Sequence, residues 1–277
     1  MMNPHKTHDA SPVAMFASLW HNRQLIWQMT RREVAGRYRG SLLGLAWSFL
    51  NPLLMLLVYT FVFAVVFKSR WGVSVGESKA DFAIILFAGM IVFGFFAETV
   101  NRAPGLIISN VNYVKKVVFP LEILPWVALG SVLFHSLVSL VVLLLLQFIV
   151  NPVLSWTALL FPLVLLPLIF ACMGLAWFLA ALGVFVRDVG QITSVVTTVF
   201  MFLSAVFYPL TALPEQYQGW LKLNPLVIII AESRNVLIFG TLPNWPMLGL
   251  TMLAGLGMAA AGFWWFQKMR KGFADVI

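Results

Sequence analysis

Long uncharged stretches alternate with short polar segments along most of this chain. Residues 40–67 carry no charged side chain, and this run exceeds the ~20 residues that an α-helix needs to cross a bilayer core. Residues 123–186 form an uncharged run that is too long for one crossing, and Asn151-Pro152 divides it at a turn. The pattern therefore predicts several membrane-spanning helices.

The fold class that follows is an all-α polytopic membrane protein with about six transmembrane helices. The predicted spans within residues 41–267 are 45–67, 82–101, 123–150, 156–186, 189–208 and 246–267. Residues 1–40 are expected to form a cytoplasmic tail and an amphipathic helix in the headgroup plane. Residues 210–244 combine an apolar run with charges and a break at Asn224-Pro225. This combination predicts two short re-entrant helices before the last span.

Composition and charge support a membrane protein with a defined orientation. The chain is 61% hydrophobic and only 10% charged, which excludes a soluble domain. Its net charge of +8 comes from lysines and arginines at the ends of apolar runs, not from one solvated stripe that would suit nucleic acid. Most of them fall on the same side as both termini, including residues 268–277. The positive-inside rule therefore predicts that both termini are cytoplasmic.

Residues with obvious chemistry are few. The sequence has no Walker-A phosphate-binding motif and no His-Glu-x-x-His motif, and its one cysteine, Cys172, lies in an apolar run. It therefore offers no basis for an enzyme, a metal site or a bound cofactor. Glu98 is either an immersed functional carboxylate or the partner of Arg102 one turn later. His135, with no acidic residue spaced to meet it, is either a hydrogen-bonded packing residue or a proton relay.

Two further patterns suggest a transporter. In residues 102–122, Pro104 can begin a helix of about two turns, which is a candidate docking element for a cytosolic partner. Aromatic residues make up 14% of the chain. The candidate channel aromatics in the first and fifth spans are Tyr59, Phe63, Phe200, Phe207 and Tyr208. Aromatic faces can pack against the C–H faces of sugars, although such a stripe also suits helix packing or lipid contact.

Four segments carry a resemblance to a known family: RREVAGRYRGSLLGLAWSFLNPLLMLLVYTFVFAVVF at 31–67, NVNYVKKVVFPLEILP at 110–125, FVRDVGQI at 185–192 and FYPLTALPEQYQGWLKLNPL at 207–226. The chain resembles the type-2 ATP-binding-cassette (ABC) permeases that export bacterial cell-surface polysaccharides, and the O-antigen branch is the most similar. The resemblance implies a channel-forming subunit in the inner membrane that exports a polysaccharide on an undecaprenyl-diphosphate lipid.

The resemblance also implies partners and site residues. Two copies of this chain would pair with two cytosolic ATPase subunits, which bind ATP and magnesium. The residues expected to couple to the ATPase are Arg102, Pro104, Gly105, Leu106, Ser109 and Asn110. Arg31, Arg32, Arg37 and Arg39 are expected at the inner mouth, where guanidinium groups can attract the lipid diphosphate. Their other expected role is to hold the N-terminus inside.

Three alternatives remain open from the residues alone. Exporters of teichoic acid or capsule share this architecture. A type-2 exporter of a small lipophilic drug or a lipid would also share the fold. A membrane-embedded glycosyltransferase would need an outward-facing acidic residue, for which Glu77 and Asp81 are the candidates in the first outer loop.

Overall fold

The computed structural model describes residues 9–62, 79–115 and 119–277, and all the regular elements in these ranges are helical. The α-helices are α1 Pro12–His21, α2 Arg23–Arg37, α3 Trp47–Tyr59, α4 Lys79–Arg102, α5 Val111–Lys115, α6 Leu124–Val150, α7 Phe161–Phe185, α8 Val189–Leu203, α9 Glu215–Lys222, α10 Pro225–Arg234, α11 Trp245–Met269 and α12 Phe273–Val276. The predicted all-α membrane fold is confirmed.

Five helical stretches in the described ranges are long and apolar enough to cross a membrane. They are Gly44–Val62, Ala80–Gly105, Leu121–Val150, Trp156–Phe185 and Trp245–Val276. Residues 63–67, the predicted end of the first span, lie outside the described residues. The predicted fifth span, 189–208, contains only the 15-residue helix α8, which rises ~22 Å at 1.5 Å per residue.

Helix α8 ends at Leu203, five residues earlier than the predicted span. The Asn224 side-chain amide donates to the Leu203 carbonyl at 3.2 Å and to the Ser204 hydroxyl at 3.1 Å. Ala205 then adopts a left-handed conformation with φ of 51°, which turns the chain out of the helix. Asn224 also accepts a hydrogen bond from the Leu226 backbone N–H and so caps α10. One side chain therefore ends α8 and begins α10.

Helices α7 and α11 form a closely packed pair because glycines face each other along them. A Cβ at Gly255 would lie 2.5 Å from the Pro167 carbonyl oxygen, and a Cβ at Gly262 would overlap the Gly174 carbonyl. Glycines allow such close approach of helix backbones in membranes. Trp177, which is fully buried, packs edge-on against Phe263 beside this contact.

The segment 210–244 contains the two short helices α9 and α10, and a buried arginine holds α10 in place. Arg234 donates to the backbone carbonyls of Ile85, Ala205 and Val206 at 3.1, 3.0 and 2.6 Å. The absent side chain of Gly89 leaves room for the guanidinium. These bonds join α10 to α4 and to the turn after α8. Entry of this segment into the membrane stays a prediction.

The N-terminal region forms two helices, whereas the sequence pattern predicted one amphipathic helix within residues 1–40. Helices α1 and α2 meet at Asn22, whose amide bonds back to the Ser18 carbonyl at 2.9 Å. Helix α2 continues to Arg37, so most of the basic group before the first span is helical. Thr30 of α2 donates to the Val127 carbonyl of α6 at 3.4 Å, which places α2 against the third span.

Candidate functional site

Residues 102–115, which we name the coupling segment, begin at the last residue of α4. The sequence predicted one short helix here, but the structure has tight 3-10 turns at Ala103–Gly105 and Ile108–Asn110 and then α5. The turns are closed by hydrogen bonds from Leu106 N–H to the Ala103 carbonyl and from Asn110 N–H to the Ile107 carbonyl. Pro104 has no backbone N–H, so it cannot supply an α-helical bond at this point.

The predicted coupling residues differ in exposure. Pro104 is buried, because its carbonyl sits against α7 at Gly183, where a Cβ would overlap it. Gly105, Leu106 and Asn110 are partly buried, and Ser109 is exposed together with Ile108, which is 40% exposed. Pro104 therefore anchors the segment on α7, while Ile108 and Ser109 are accessible to a partner.

A network of ion pairs joins the coupling segment to α2. Arg102 pairs with Glu33 of α2 and, at 3.6 Å, with Glu98 one turn earlier. Glu98 also accepts from Arg37 at 2.5 Å. The pairing of Glu98 with Arg102 was expected from the sequence, but the two partners on α2 were not. These side chains are partly exposed, so each pair contributes only ~0.2–1 kcal/mol.

The four arginines predicted at the inner mouth do not form one cluster. Arg32 donates to the Tyr113 hydroxyl of α5 at 3.0 Å, Arg37 is paired with Glu98, and Arg31 and Arg39 are exposed. A cavity of about 480 Å³ lies between α2, the coupling segment and α6. Its polar lining residues are Arg32, Glu33, Arg102, Ser109 and Asn110.

The predicted channel aromatics of the first span and of the region around α8 come together in space. The ring centroids of Tyr59 and Phe207 lie 6.0 Å apart, and those of Phe207 and Phe202 lie 5.7 Å apart. The ring centroids of Phe200 and of Phe96 in α4 lie 6.1 Å apart. Phe202 and Phe96 were not singled out from the sequence.

We call these aromatic residues the aromatic set: Tyr59, Phe96, Phe200, Phe202, Phe207 and Tyr208. They differ in accessibility. Phe207 is only 9% exposed, whereas Phe202 is 56% exposed. The Tyr208 hydroxyl donates to the Phe202 carbonyl at 2.6 Å, so it braces the turn after α8. Phe63 lies outside the described residues. Within a single copy of the chain, part of the predicted set is therefore engaged in packing.

Comparison with known proteins adds the family. Residues 24–238, from α2 to the turn after α10, match the sequence profile of the ABC-2 type transporters. The chain belongs to the ABC-2 type transporter family. It is 29% identical to the O-antigen export system permease protein RfbA of Myxococcus xanthus, over 96% of this chain and 100% of that protein.

Further relatives of this ABC-2 family chain carry related names. An O-antigen export system permease protein RfbA of Klebsiella pneumoniae is 25% identical over 96% of this chain and 99% of its own length. The polysialic acid transport protein KpsM of Escherichia coli is 25% identical over 76% of this chain and 79% of its own length.

The C-terminal end of this ABC-2 protein is tied to the coupling segment, which the sequence did not indicate. Arg270 pairs with Glu122 at 2.5 Å, and both side chains are largely buried, with exposures of 12% and 13%. Arg270 also donates to the Phe119 carbonyl at 3.0 Å, and Lys115 donates to the Ile277 carbonyl at 2.6 Å. These contacts connect the last span to the chain entering the third span and to α5.

Within residues 9–62, 79–115 and 119–277, there is no group of three or more His, Cys, Asp and Glu side chains that could hold a metal ion. The coupling segment presents an exposed apolar and polar surface on a buried anchor. The aromatic set joins the first span to the region of α8.

Proposed function

We propose that this chain is the channel-forming permease subunit of an ABC exporter for an undecaprenyl-diphosphate-linked polysaccharide of the O-antigen type. The observation that carries the proposal is the similarity to O-antigen export permeases along nearly the whole chain. The chain has no nucleotide-binding motif. ATP and magnesium therefore bind in a separate ATPase subunit, and this chain needs no cofactor of its own.

The coupling segment is the proposed docking site for that ATPase. Its exposed residues Ile108 and Ser109 stand on an anchor formed by Pro104 and α7. The ion pairs of Arg102 connect the same segment to α2. A force applied to the docked surface is therefore transmitted to both α4 and α2. In this proposal, both termini and this end of the helices face the cytoplasm.

A second copy of the chain completes the channel in this proposal, and two ATPase subunits serve the pair. The first span and α8 expose large apolar side chains that a second copy or lipid would cover. In the first span these include Leu54, Leu57, Val58 and Phe61, and in α8 they include Ile192, Val195, Val199 and Phe202. The aromatic set lies between these two elements, so it borders the proposed passage for the glycan.

The arginines at the cytoplasmic end give the lipid diphosphate a place to approach. Arg31 and Arg39 are exposed, and Arg32 borders the cavity beside the coupling segment. Guanidinium groups bind phosphate oxygens through paired hydrogen bonds. Arg37 already pairs with Glu98, so we assign the approach of the diphosphate to the other three.

A capsule-type polysaccharide is the second candidate cargo, because the KpsM proteins are also similar to this chain. The test is a strain that lacks this chain, analysed for surface polysaccharide by gel electrophoresis and for sugar composition. We expect surface glycan to disappear and lipid-linked glycan to accumulate inside the cell. Normal surface glycan in the deletion strain would refute the export function.

Docking is tested separately by affinity purification of the tagged chain from its native membrane. We expect a Walker-motif ATPase to copurify, and Ile108→Asp to abolish its recovery by placing a charge on the exposed apolar surface. Gln216→Asp, which adds the same charge to the exposed surface of α9, is the control and retains the ATPase. Equal recovery with both variants would place the docking surface elsewhere.

A further inference from the structure

Residues 270–277, which we name the C-terminal segment, pack against the coupling segment. They comprise a 3-10 turn at Arg270–Gly272 and the short helix α12. Helix α12 contacts both α5 and α7. The coupling segment therefore has two neighbours that can fix its position, with α7 at its start and the C-terminal segment at α5.

Phe273 is the residue that fixes α12 in place. Its side chain is fully buried. The ring lies between Phe185, the last residue of α7, and Phe266 of α11, with centroid separations of 6.1 and 5.5 Å. Gly183, two residues before Phe185, admits the start of the coupling segment. The C-terminal segment and the coupling segment are therefore anchored at the same end of α7.

Two sets of contacts join α5 to the C-terminal segment. Lys115, the last residue of α5, donates to the Ile277 carbonyl at 2.6 Å. The Tyr113 ring stacks on the Phe119 ring at a centroid separation of 4.4 Å, and the Phe119 carbonyl accepts from Arg270 at 3.0 Å. Helix α5 has only five residues, and a helix this short is not stable alone in water. Its position therefore depends on its contacts with neighbouring elements.

We propose that Phe273 and Lys115 are positioning residues for the ATPase, because they hold α5 in the orientation that docks. The inference rests on the proposed docking of an ATPase on the coupling segment and adds a second anchor to it. Pro104 anchors the start of that segment on α7, and the exposed Ile108 and Ser109 lie between the two anchors. Fixing both ends holds this surface in one orientation, which lowers the entropy cost of binding.

Burial separates this role from direct docking. A side chain with no accessible surface, such as Phe273, cannot contact an ATPase, so its effect on docking acts through position. A purely structural role would give the same effect for any buried phenylalanine of the same helix pair. Phe161, the first residue of α7, provides the comparison, because it is only 4% exposed. It lies about 36 Å from Phe185 along the helix.

The test measures the ATPase that copurifies with the tagged permease from native membranes, together with the thermal midpoint of the purified permease. Phe273→Ala removes the buried ring, and Phe161→Ala is the matched control. Lys115→Met removes the donor to the C-terminal segment from an exposed position, so this variant tests the proposal even if Phe273→Ala does not fold. Lys115→Arg keeps the donor. Lys271→Met, which removes another exposed lysine at this end, controls for the lost charge.

We expect Phe273→Ala and Lys115→Met each to lower ATPase recovery by about tenfold. This factor corresponds to ~1.4 kcal/mol, the scale of one hydrogen bond to a charged group. Phe161→Ala should lower the thermal midpoint as Phe273→Ala does but leave ATPase recovery unchanged, and Lys115→Arg and Lys271→Met should match the wild type. Unchanged recovery with Phe273→Ala and Lys115→Met would overturn the positioning role. Equal loss with the control variants would also overturn it.

These outcomes are distinguishable from a failure of the proposed function. If Ile108→Asp abolishes ATPase recovery while Phe273→Ala and Lys115→Met retain it, docking on the coupling segment stands and the positioning role is wrong. If the wild-type permease recovers no ATPase, the proposed docking itself is wrong, and the positioning role falls with it.

Discussion

Replacing Gly183 with alanine is expected to displace the coupling segment from α7 while leaving membrane insertion intact. The new Cβ would overlap the backbone carbonyl of Pro104. A backbone carbonyl cannot rotate away as a flexible side chain can. The coupling segment must therefore move by about 1 Å to restore an ordinary separation between carbon and oxygen.

The size of this effect follows from two opposing contributions. Overpacking of a close contact costs about 1–3 kcal/mol, whereas alanine gains about 1 kcal/mol over glycine inside a helix. The net effect destabilises the position in which Pro104 packs against α7 by up to about 2 kcal/mol. Because 1.4 kcal/mol is a factor of ten, the ratio of seated to displaced segment falls by up to about 30-fold.

The assay is the amount of ATPase that copurifies with the tagged permease, together with the thermal midpoint of the purified permease. We expect Gly183→Ala to lower ATPase recovery and to change the midpoint only slightly. The control is Gly190→Ala in α8, where a Cβ meets nothing within 4 Å. Wild-type recovery with Gly183→Ala would show that docking does not depend on the Pro104 anchor. Equal loss with Gly190→Ala would show that the effect is not specific to this contact.

Three further changes test the ion pairs and the aromatic set. Glu122→Gln breaks the largely buried pair with Arg270 and should lower the free energy of unfolding by about 3–5 kcal/mol. Glu33→Gln is the same chemical change in the pair with Arg102 and should lower the free energy of unfolding by about 1 kcal/mol or less, because those side chains are about 30% exposed. Both variants are measured by thermal or denaturant unfolding, and equal losses of stability would contradict the role of burial. Phe207→Ala should reduce surface glycan more than ATPase recovery, and unchanged export would count against the aromatic passage.

The features predictable from the sequence are those that depend on local composition. An uncharged run such as residues 123–150 must form a helix in a bilayer, because hydrocarbon offers no partners for backbone N–H and C=O groups. The same reasoning identified an all-α membrane protein, and the motifs around residues 31–67 indicated the family. Asn224-Pro225 marked the break between α9 and α10 correctly, since proline acts on its own neighbours.

The long-range pairs of the site were not predictable in this way. Arg102 and Glu33 are 69 residues apart in the chain, and Arg270 and Glu122 are 148 apart. Many charged residues lie at span ends, and sequence spacing does not show which of them meet. Likewise, His135 had no acidic residue spaced to meet it, but packing of α4 against α6 places Glu98 on the lining of the same small cavity as His135.

The sequence by itself determined the membrane environment, the helical class and the family, because hydrophobicity and backbone hydrogen bonding act over short stretches of chain. Tertiary structure alone decided that α8 ends at Leu203, because the capping amide comes from Asn224. It also decided that Pro104 is an anchor and Ile108 a surface residue, because Gly183 admits the Pro104 carbonyl. These outcomes depend on which helices are neighbours, and that choice is made by side-chain packing across the whole molecule.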